Sequence, residues 1–316
     1  MQPKRPAPAP DRTAGPSAGP LSSAGKRTLS ELRLAHLFLS PSLMTLVLVT
    51  LFPILYALAM SLYAYDGEHR QGFAGLANYG RQLTSGDFWQ AVNATLVFTV
   101  CSVALELLIG LGFALIMNRA SGRTWIRSAI LVPWVIPTVI SAQVWAFMFN
   151  IIPGFINHYV PLVPQDFSWL GQRFVPMIAI VIADVWKTAP FVALLLLTGL
   201  QTIPQELHDS ARIDGASAWQ RFRHITVPLL KPSILVALLF RTVDALRVYD
   251  LPKIMTNGSF GTETLSMLVR RFVVETPNTG IASTLSTLTF VLVFGAGLLF
   301  VSVLGRDLAA GAQVRR

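Results

Sequence analysis

The sequence is poor in cysteine and in charged residues, and each shortage excludes a class of function. Cys101 is the only cysteine among 316 residues, so no internal disulfide can form, and its place in an apolar run predicts a buried free thiol. There is no His and Cys cluster with metal-ligand spacing, no GxxxxGK[ST] phosphate loop and no nucleophile elbow. We therefore expect no metal, no cofactor bound by this chain and no enzyme activity.

Apolar residues dominate the composition. The chain is 53% hydrophobic and 13% charged, with a mean hydropathy of +0.56, which is too apolar for one water-soluble domain. The net charge of +9 could suggest a nucleic-acid partner, but most cations flank apolar stretches, where they set membrane orientation. The composition predicts a membrane protein that binds no nucleic acid.

Six apolar segments are each long enough to cross the roughly 30 Å of bilayer hydrocarbon at about 1.5 Å per residue. Arg119, Arg123 and Arg127 crowd a short loop without acidic residues, which predicts that this loop is cytoplasmic. Six spans then place both termini in the cytoplasm, with Arg270 and Arg271 as an exception in a predicted outer loop. The predicted spans are residues 36–63, 91–118, 126–150, 174–200, 233–251 and 281–304. They form a transmembrane domain, residues 31–306, between a disordered cytoplasmic tail, residues 1–30, and a short cytoplasmic tail, residues 307–316.

A polar segment, residues 201–232, separates the fourth and fifth predicted spans. Thr202 and Gln205 have the spacing of a capping box, which predicts that a helix begins there. Gly215 interrupts this helix, since glycine readily takes the left-handed conformation that closes one. The pattern predicts two short helices with an elbow at Asp214 and Gly215.

The second short helix has its own predicted start and end. Ser217 and Gln220 offer another capping box. Pro228 and Pro232 are predicted to end this helix and to mark the beginning of the fifth span.

The polar segment resembles the EAA loop in the membrane subunits of ABC importers. Asp209-Ser210-Ala211 stands where Glu-Ala-Ala is usual, and Gly215, Ile225, Val227 and Pro228 follow at the family's spacing. The substitutions Asp for Glu and Ser for Ala keep the charge and the small size. Neighbouring positions are similar to the carbohydrate branch, the MalF-type permeases: Ile213 to Ala216, Phe222, and Leu229 to Pro232.

This resemblance implies an all-α membrane protein with six transmembrane helices, the type I ABC importer (MetI-like) permease fold and a cytoplasmic coupling helix. It implies a multi-pass protein of the bacterial plasma membrane, in contact with lipid. The expected partners are a second permease subunit, two ATPase subunits that bind ATP and Mg, and an extracytoplasmic sugar-binding protein. ATP hydrolysis is then the work of another chain.

The resemblance also implies which residues couple to the ATPase. Acidic side chains would accept hydrogen bonds from partner arginines, small residues would permit close approach, and the glycine would form the turn. A solvated connector loop without a partner is the plain alternative. The coupling residues are Glu206, Asp209, Ser210, Ala211, Asp214, Gly215 and Ala216.

Charged residues in the fifth predicted span mark a candidate substrate path. Arg241, Asp244 and Arg247 follow one another three apart, so they share a helix face, and Asp250 continues the series. They could neutralise one another as a ladder, or line a polar cavity where sugar hydroxyls bind, and both can hold. The run Ala237 to Ala245 resembles the trehalose-importing permeases of mycobacteria, which favours a disaccharide such as trehalose or maltose as cargo.

Four further polar or aromatic residues lie inside or near the predicted spans. Glu106, an ionisable residue in the second span, should face the helix bundle or a water path. Asp184 and Trp186 lie in the fourth span, where Trp186 could stack on a sugar ring or simply pack. Asn257 belongs to a loop similar to the family's Thr-x-Gly-Gly-Pro element, and it joins the tentative substrate path.

Other classes of function remain as rivals. An autonomous secondary transporter could use the fifth-span charges as an ion relay, but it leaves the polar segment unexplained. For a membrane enzyme, the sequence offers no nucleophile, no metal site and no convergent acid pair. Within the importers, glycerol phosphate or a polyol could replace the disaccharide, and Arg241 with Arg247 keeps the phosphate open.

Overall fold

The computed structural model describes residues 24–119, 124–152, 154–161 and 163–314. In this part of the chain the α-helices are α1 (Ala24–Leu46), α2 (Phe52–Ser61), α3 (Ala77–Leu83), α4 (Gly86–Arg119), α5 (Thr124–Val135), α6 (Thr138–Met148), α7 (Phe155–Tyr159), α8 (Val175–Gln201), α9 (Gln205–Ile213), α10 (Ala218–Arg221), α11 (Val227–Ala245), α12 (Asp250–Thr256), α13 (Leu265–Arg270) and α14 (Thr279–Val314). Single π-helical turns occur at Val47–Leu51, Phe222–Thr226 and Arg271–Glu275, and a 3₁₀ turn at Ser259–Gly261.

Five of the described helices are long and apolar enough to cross a membrane, and a bent pair makes a sixth if it counts as one span. The bend lies between α5 and α6 and measures 88°. Pro133 lies near the end of α5, and Pro137, with an extended ψ of 137°, precedes α6. Proline removes a backbone donor and fixes φ, so the predicted bend of the third span is confirmed and has its expected cause. The other five candidate spans are His36–Ser61, Gly86–Arg119, Val175–Gln201, Ala218–Ala245 and Thr279–Ser302.

The fifth span differs from its prediction. It runs from Ala218 to Ala245 without a break, so the predicted range 233–251 and the predicted helix ends at the two prolines are wrong. Pro228 lies in the first turn of α11, directly after a π-helical turn, and Pro232 lies inside the helix. A proline in the first turn costs the helix little, because the backbone N–H that it lacks would have no partner within the helix. Membrane helices accommodate an internal proline through local π adjustments.

Three local features add detail to the predicted organisation. The described part of the chain is mostly helical, as expected, and includes one hairpin, in which Tyr63–Asp66 pairs antiparallel with His69–Phe73. Helix α1 begins at Ala24, inside the range predicted to be disordered, and α14 continues to Val314 through the predicted C-terminal tail. The rest of the N-terminal tail and Arg123 lie outside the described residues.

Cys101 is exposed, although it was expected to be buried. It lies on α4, and a membrane helix presents apolar residues to lipid as well as to its neighbours, so an apolar run does not by itself predict burial. Arg271, an exception to the charge rule, donates to Asp87 at 2.7 Å and lies 3.4 Å from Glu263. Local ion pairs therefore explain this outer cation.

By its contacts the chain divides into two compact units, one ending at Leu55 and one beginning at Tyr56. The larger unit has its core where α4, α8 and α11 pack together. Gly110 on α4 lies against Val192 of α8, and an added Cβ would approach that side chain to 2.8 Å. Such close approach between helices lets side chains from three different segments meet in the interior.

Candidate functional site

Three charged side chains from three helices meet inside this core and form what we call the buried ionic cluster: Glu106 on α4, Asp184 on α8 and Arg241 on α11. The Arg241 guanidinium donates to both carboxylate oxygens of Glu106, at 2.5 and 2.7 Å, and to Asp184 at 3.1 Å. Their relative exposures are 3% for Arg241, 0% for Glu106 and 6% for Asp184. A planar guanidinium can serve two carboxylates at once, which a lysine ammonium cannot do with the same geometry.

Hydroxyl groups complete the cluster. Thr188 donates to Glu106 at 2.5 Å, and Ser102 lies 2.8 Å from the same carboxylate while also donating to Asp184. Both hydroxyls are buried. Removing charges from water is costly, and only a network that satisfies every group offsets the cost. These bonds tie α4, α8 and α11 together by polar contacts as well as by packing.

The cluster opens on one side into a central cavity of about 510 Å³. Arg241 also pairs with Asp244, whose side chain is 74% exposed, so this carboxylate connects the buried cluster with the cavity. Aromatic residues form much of the remaining wall. The lining consists of Phe98, Trp134, Thr138, Asp184, Lys187, Thr188, Phe191, Phe240, Arg241, Asp244, Ala245, Arg247, Val248, Tyr249, Asp250 and Leu251.

Lys187 links this cavity to the bent span. Its ammonium donates to the backbone carbonyl of Ile136 at 2.9 Å and lies 3.4 Å from that of Trp134. These carbonyls belong to the break between α5 and α6, where a helix has lost its regular hydrogen bonds. The lysine side chain therefore stabilises the broken backbone from the cavity side.

The structure brings together four of the six residues predicted for the substrate path. Arg241, Asp244, Arg247 and Asp184 all line the central cavity, although Arg247 lies past the end of α11 and so does not continue a helical face. Trp186 and Asn257 lie elsewhere. Sequence reasoning did not assign the hydroxyls of Ser102 and Thr188 to the cluster or Lys187 to the cavity wall, and their only signal is polarity within apolar spans.

Trp186 does not line the central cavity. Its ring meets Trp145 edge to face, with 5.7 Å between centroids, and both line an apolar cavity of about 500 Å³. Of the two alternatives for Trp186, packing and sugar stacking, this contact corresponds to packing. Asn257 lies in a left-handed turn with φ of 51° and lines a separate polar cavity of about 270 Å³.

The predicted elbow is present between α9 and α10. Gly215 has φ of 80°, and the Ala216 amide donates to the carbonyl of Ala211 at 2.9 Å, which closes α9. The box of Ser217 and Gln220 is confirmed, with both reciprocal bonds made. The box expected at Thr202 is wrong, because its hydroxyl donates back to Gly199 and leaves the start of α9 uncapped by a side chain.

Most predicted coupling residues are accessible. Glu206, Asp209, Ser210, Asp214 and Gly215 are exposed, and Ala211 and Ala216 are half-buried. Beside them Ile213 is 87% exposed and Trp219 65% exposed, so α9 and α10 present large apolar side chains as well as carboxylates. An exposed mixture of this kind is typical of a surface that binds a protein.

One continuous helix joins this elbow to the cluster. The Arg221 side chain donates to the carbonyl of Ala216 at 2.6 Å, which fixes the elbow to the first turn of the helix. From Ala218 the helix runs 28 residues, about 40 Å, to Ala245 beside the cavity. Among the residues that the structure describes, no group of His, Cys, Asp and Glu is arranged to hold a metal ion.

Comparison with known proteins gives consistent matches. A model of the binding-protein-dependent transport system inner membrane component matches residues 106–307. The trehalose/maltose transport system permease protein MalF of Thermococcus litoralis is 42% identical over 277 residues, 86% of this chain and 94% of that protein. The trehalose transport system permease protein SugA of Mycobacterium tuberculosis is 38% identical over 92% of this chain and 94% of that protein.

Solved structures share the fold at low sequence identity. A chain of a bacterial ABC transporter involved in the import of the acidic polysaccharide alginate matches with a TM-score of 0.77 and 20% identity, over 89% of this chain and 98% of its own. A chain of a bacterial alginate ABC transporter in complex with an alginate pentasaccharide-bound periplasmic protein gives a TM-score of 0.71, also at 20% identity, over 87% of this chain and 94% of its own. The permease fold expected from the sequence is confirmed.

Proposed function

The chain belongs to the family of binding-protein-dependent transport system inner membrane components, and on that basis we propose that it is a membrane-spanning subunit of an ATP-driven sugar importer. It forms half of the translocation path, and its elbow receives the movement of an ATPase. One observation carries this proposal: a single helix of 28 residues connects the exposed elbow to the polar cavity. A rigid helix transmits a rotation at one end to the side chains at the other.

The proposed cargo is a disaccharide such as trehalose or maltose. The support comes from the names of the two relatives and from the chemistry of the central cavity, whose lining combines aromatic rings, charged groups and hydroxyls. Aromatic rings bury the apolar face of a sugar, and charged groups bond to its hydroxyls. A volume of about 510 Å³ falls within the usual range for ligand pockets, about 300 to 1,000 Å³.

A glycerol phosphate cargo has weaker support. A phosphate needs free cations, and the guanidinium of Arg241 already serves three carboxylates. The Lys187 ammonium bonds to the backbone carbonyls of Ile136 and Trp134. Arg247 remains on the cavity wall, with no ion pair to the described part of the chain, and a single exposed cation is a weak phosphate site.

The partners proposed are a second permease of the same fold, two ATPase subunits on the cytoplasmic side and an extracytoplasmic binding protein. ATP and Mg bind in the ATPase subunits, and this chain contributes no catalytic group. The elbow, both termini and the basic loop after α4 then lie on the cytoplasmic side of the plasma (inner) membrane of a bacterial cell.

Co-purification and reconstitution test this function. The complex that purifies with the full chain from its native host would be placed in liposomes with its binding protein. ATP hydrolysis would then be measured with trehalose, maltose, glycerol 3-phosphate and sorbitol. We expect an ATPase and a second permease in the complex, and stimulation by a disaccharide above the other compounds. Stimulation by glycerol 3-phosphate alone, or uptake by the isolated chain driven by an ion gradient, would contradict the proposal.

A further inference from the structure

A second polar cavity, which we call the outer pocket, lies at the end of the fifth helix remote from the elbow. Its volume is about 270 Å³, and it is enclosed by α12, α13 and the π-helical turn that follows α13. The start of α4 lies at the same end, since Asp87 pairs with Arg271 there at 2.7 Å. This pocket is therefore on the side from which cargo would arrive under the proposed function.

Tyr249 lines both the outer pocket and the central cavity. It follows the end of α11 and precedes α12, so the ring lies where the long helix gives way to the outer segments. The Arg270 guanidinium lies 5.8 Å from the ring centroid, within reach of a cation–π interaction. Tyr249 is half-buried and is shared by the walls of the two polar cavities.

The lining of the outer pocket suits hydroxyl groups. The Asn257 side chain is exposed and makes no hydrogen bond to the described part of the chain, so both its donor and its acceptor are open to a ligand. Lys253 and Glu275 pair at 2.9 Å across the pocket, and Glu263 contributes a half-buried carboxylate. Charges of both signs are present, which matches a neutral polyhydroxy ligand better than an anion or a cation.

We propose that the outer pocket is a subsite for one sugar ring of a neutral carbohydrate, and that Tyr249 is the aromatic platform over which the ring passes into the central cavity. This inference rests on the proposed function and adds a location to it. The pocket lies just below the usual size range of ligand sites, so it holds one ring, whereas the central cavity has room for a longer ligand. Asn257 anchors hydroxyls and Arg270 holds the tyrosine ring in place.

Transport kinetics of Tyr249 variants test the platform. In the reconstituted complex, Tyr249→Ala should raise the KM for uptake of the transported disaccharide by about three- to tenfold, because stacking is lost. Tyr249→Phe should stay within about twofold of the wild type, since the ring is kept. Tyr159→Ala, which removes an exposed tyrosine that lines neither cavity, is the matched control and should have no effect.

Chemical protection tests occupancy of the pocket without relying on transport. In a Cys101→Ser background, Asn257→Cys would be labelled with a small polar methanethiosulfonate in the presence and absence of trehalose or maltose. We expect the transported sugar to slow labelling at least threefold, and sorbitol to give less protection. Unchanged labelling together with a wild-type KM in Tyr249→Ala would overturn the subsite while disaccharide-stimulated ATP hydrolysis left the proposed function standing. If no sugar stimulates the wild-type complex, the proposed function fails and the subsite fails with it.

Discussion

The elbow and the buried ionic cluster are both built from charged residues, yet they depend on opposite physical conditions. At the elbow, Asp209 and Arg212 are 3.6 Å apart with side chains 52% and 64% exposed, and such a pair contributes about 0 to 1 kcal/mol. In the cluster, Arg241 and its carboxylates are almost fully removed from water. Removing one partner from a buried pair costs about 3 to 5 kcal/mol, because it leaves a charge uncompensated.

The difference separates two roles within one helix. Charges at the elbow are free to bind a partner, because water already solvates them and little is lost when they exchange it. Charges in the cluster are committed to each other and hold three helices in register. Recognition is therefore assigned to the elbow and mechanical integrity to the cluster, and substitutions in both regions test this division.

The largest effect is expected from Arg241→Met. It leaves Glu106 and Asp184 buried without a cation, so we expect a loss of about 3 to 5 kcal/mol in the free energy of unfolding, measured by thermal or denaturant unfolding in detergent. Arg247 lines the same cavity but makes no ion pair to the described part of the chain. Arg247→Met should therefore change the free energy of unfolding by less than about 0.5 kcal/mol. Equal stability of the two variants would show that the cluster does not hold the helices.

Glu106→Gln and Asp184→Asn combined with Arg241→Met sharpen the same point. If the cost of the single variant comes from uncompensated carboxylates, neutralising them should restore part of the stability. Additive losses in the combined variant would indicate packing damage instead.

Gly215→Val should mainly affect coupling. An added Cβ at this position meets nothing within 4 Å, so the only obstacle is the backbone, which at φ of 80° disfavours a β-branched residue by about 1 to 3 kcal/mol. We expect sugar-stimulated ATP hydrolysis to fall at least tenfold while the protein stays in the membrane. Gly215→Asn tolerates the left-handed conformation and should keep at least half of the activity. Wild-type transport in the valine variant would contradict the assignment of the elbow.

Lys187→Met tests the bent span. The change leaves the carbonyls of Ile136 and Trp134 without their side-chain donor, and we expect a loss of about 1 to 3 kcal/mol in stability. Lys187→Arg keeps a donor and should lose less. Thermal unfolding in detergent measures both variants, and an unperturbed methionine variant would show that the break holds itself.

The smallest effect is a pH dependence at the outer pocket. Burial raises the pKa of Glu263 above its ordinary 4.5, against the opposing influence of Arg271. A raised folded-state pKa gives stability that is present below pH 4.5 and is lost as the pH rises through the folded pKa. Glu263→Gln should reduce the change in unfolding free energy between pH 4 and 7 by less than about 1 kcal/mol, because the carboxyl group is partly solvated. Unfolding temperatures of the wild type and the variant over this pH range measure the difference. The same pH dependence in both proteins would contradict a raised pKa of Glu263.

Sequence reasoning predicted those parts of the site that depend on neighbours in the chain. The turn at Gly215 and the box at Ser217 are local, so residue order alone indicates them. The partners of Arg241 are not local: Glu106 and Asp184 lie 135 and 57 positions away, and no spacing rule relates them. The start of the fifth span differs from its prediction because Pro228 and Pro232 interrupt a helix in water but are tolerated where a π-helical turn and a membrane environment accommodate them.

If an ATPase drives this chain through its elbow, sugar uptake must depend on ATP, and uptake in liposomes measures this directly. The complete complex, with its binding protein and radiolabelled trehalose, would be assayed with ATP, with ADP, and with an imposed proton or sodium gradient. The account predicts uptake that requires ATP and continues when all ion gradients are collapsed. Uptake that follows an ion gradient and ignores ATP would contradict it.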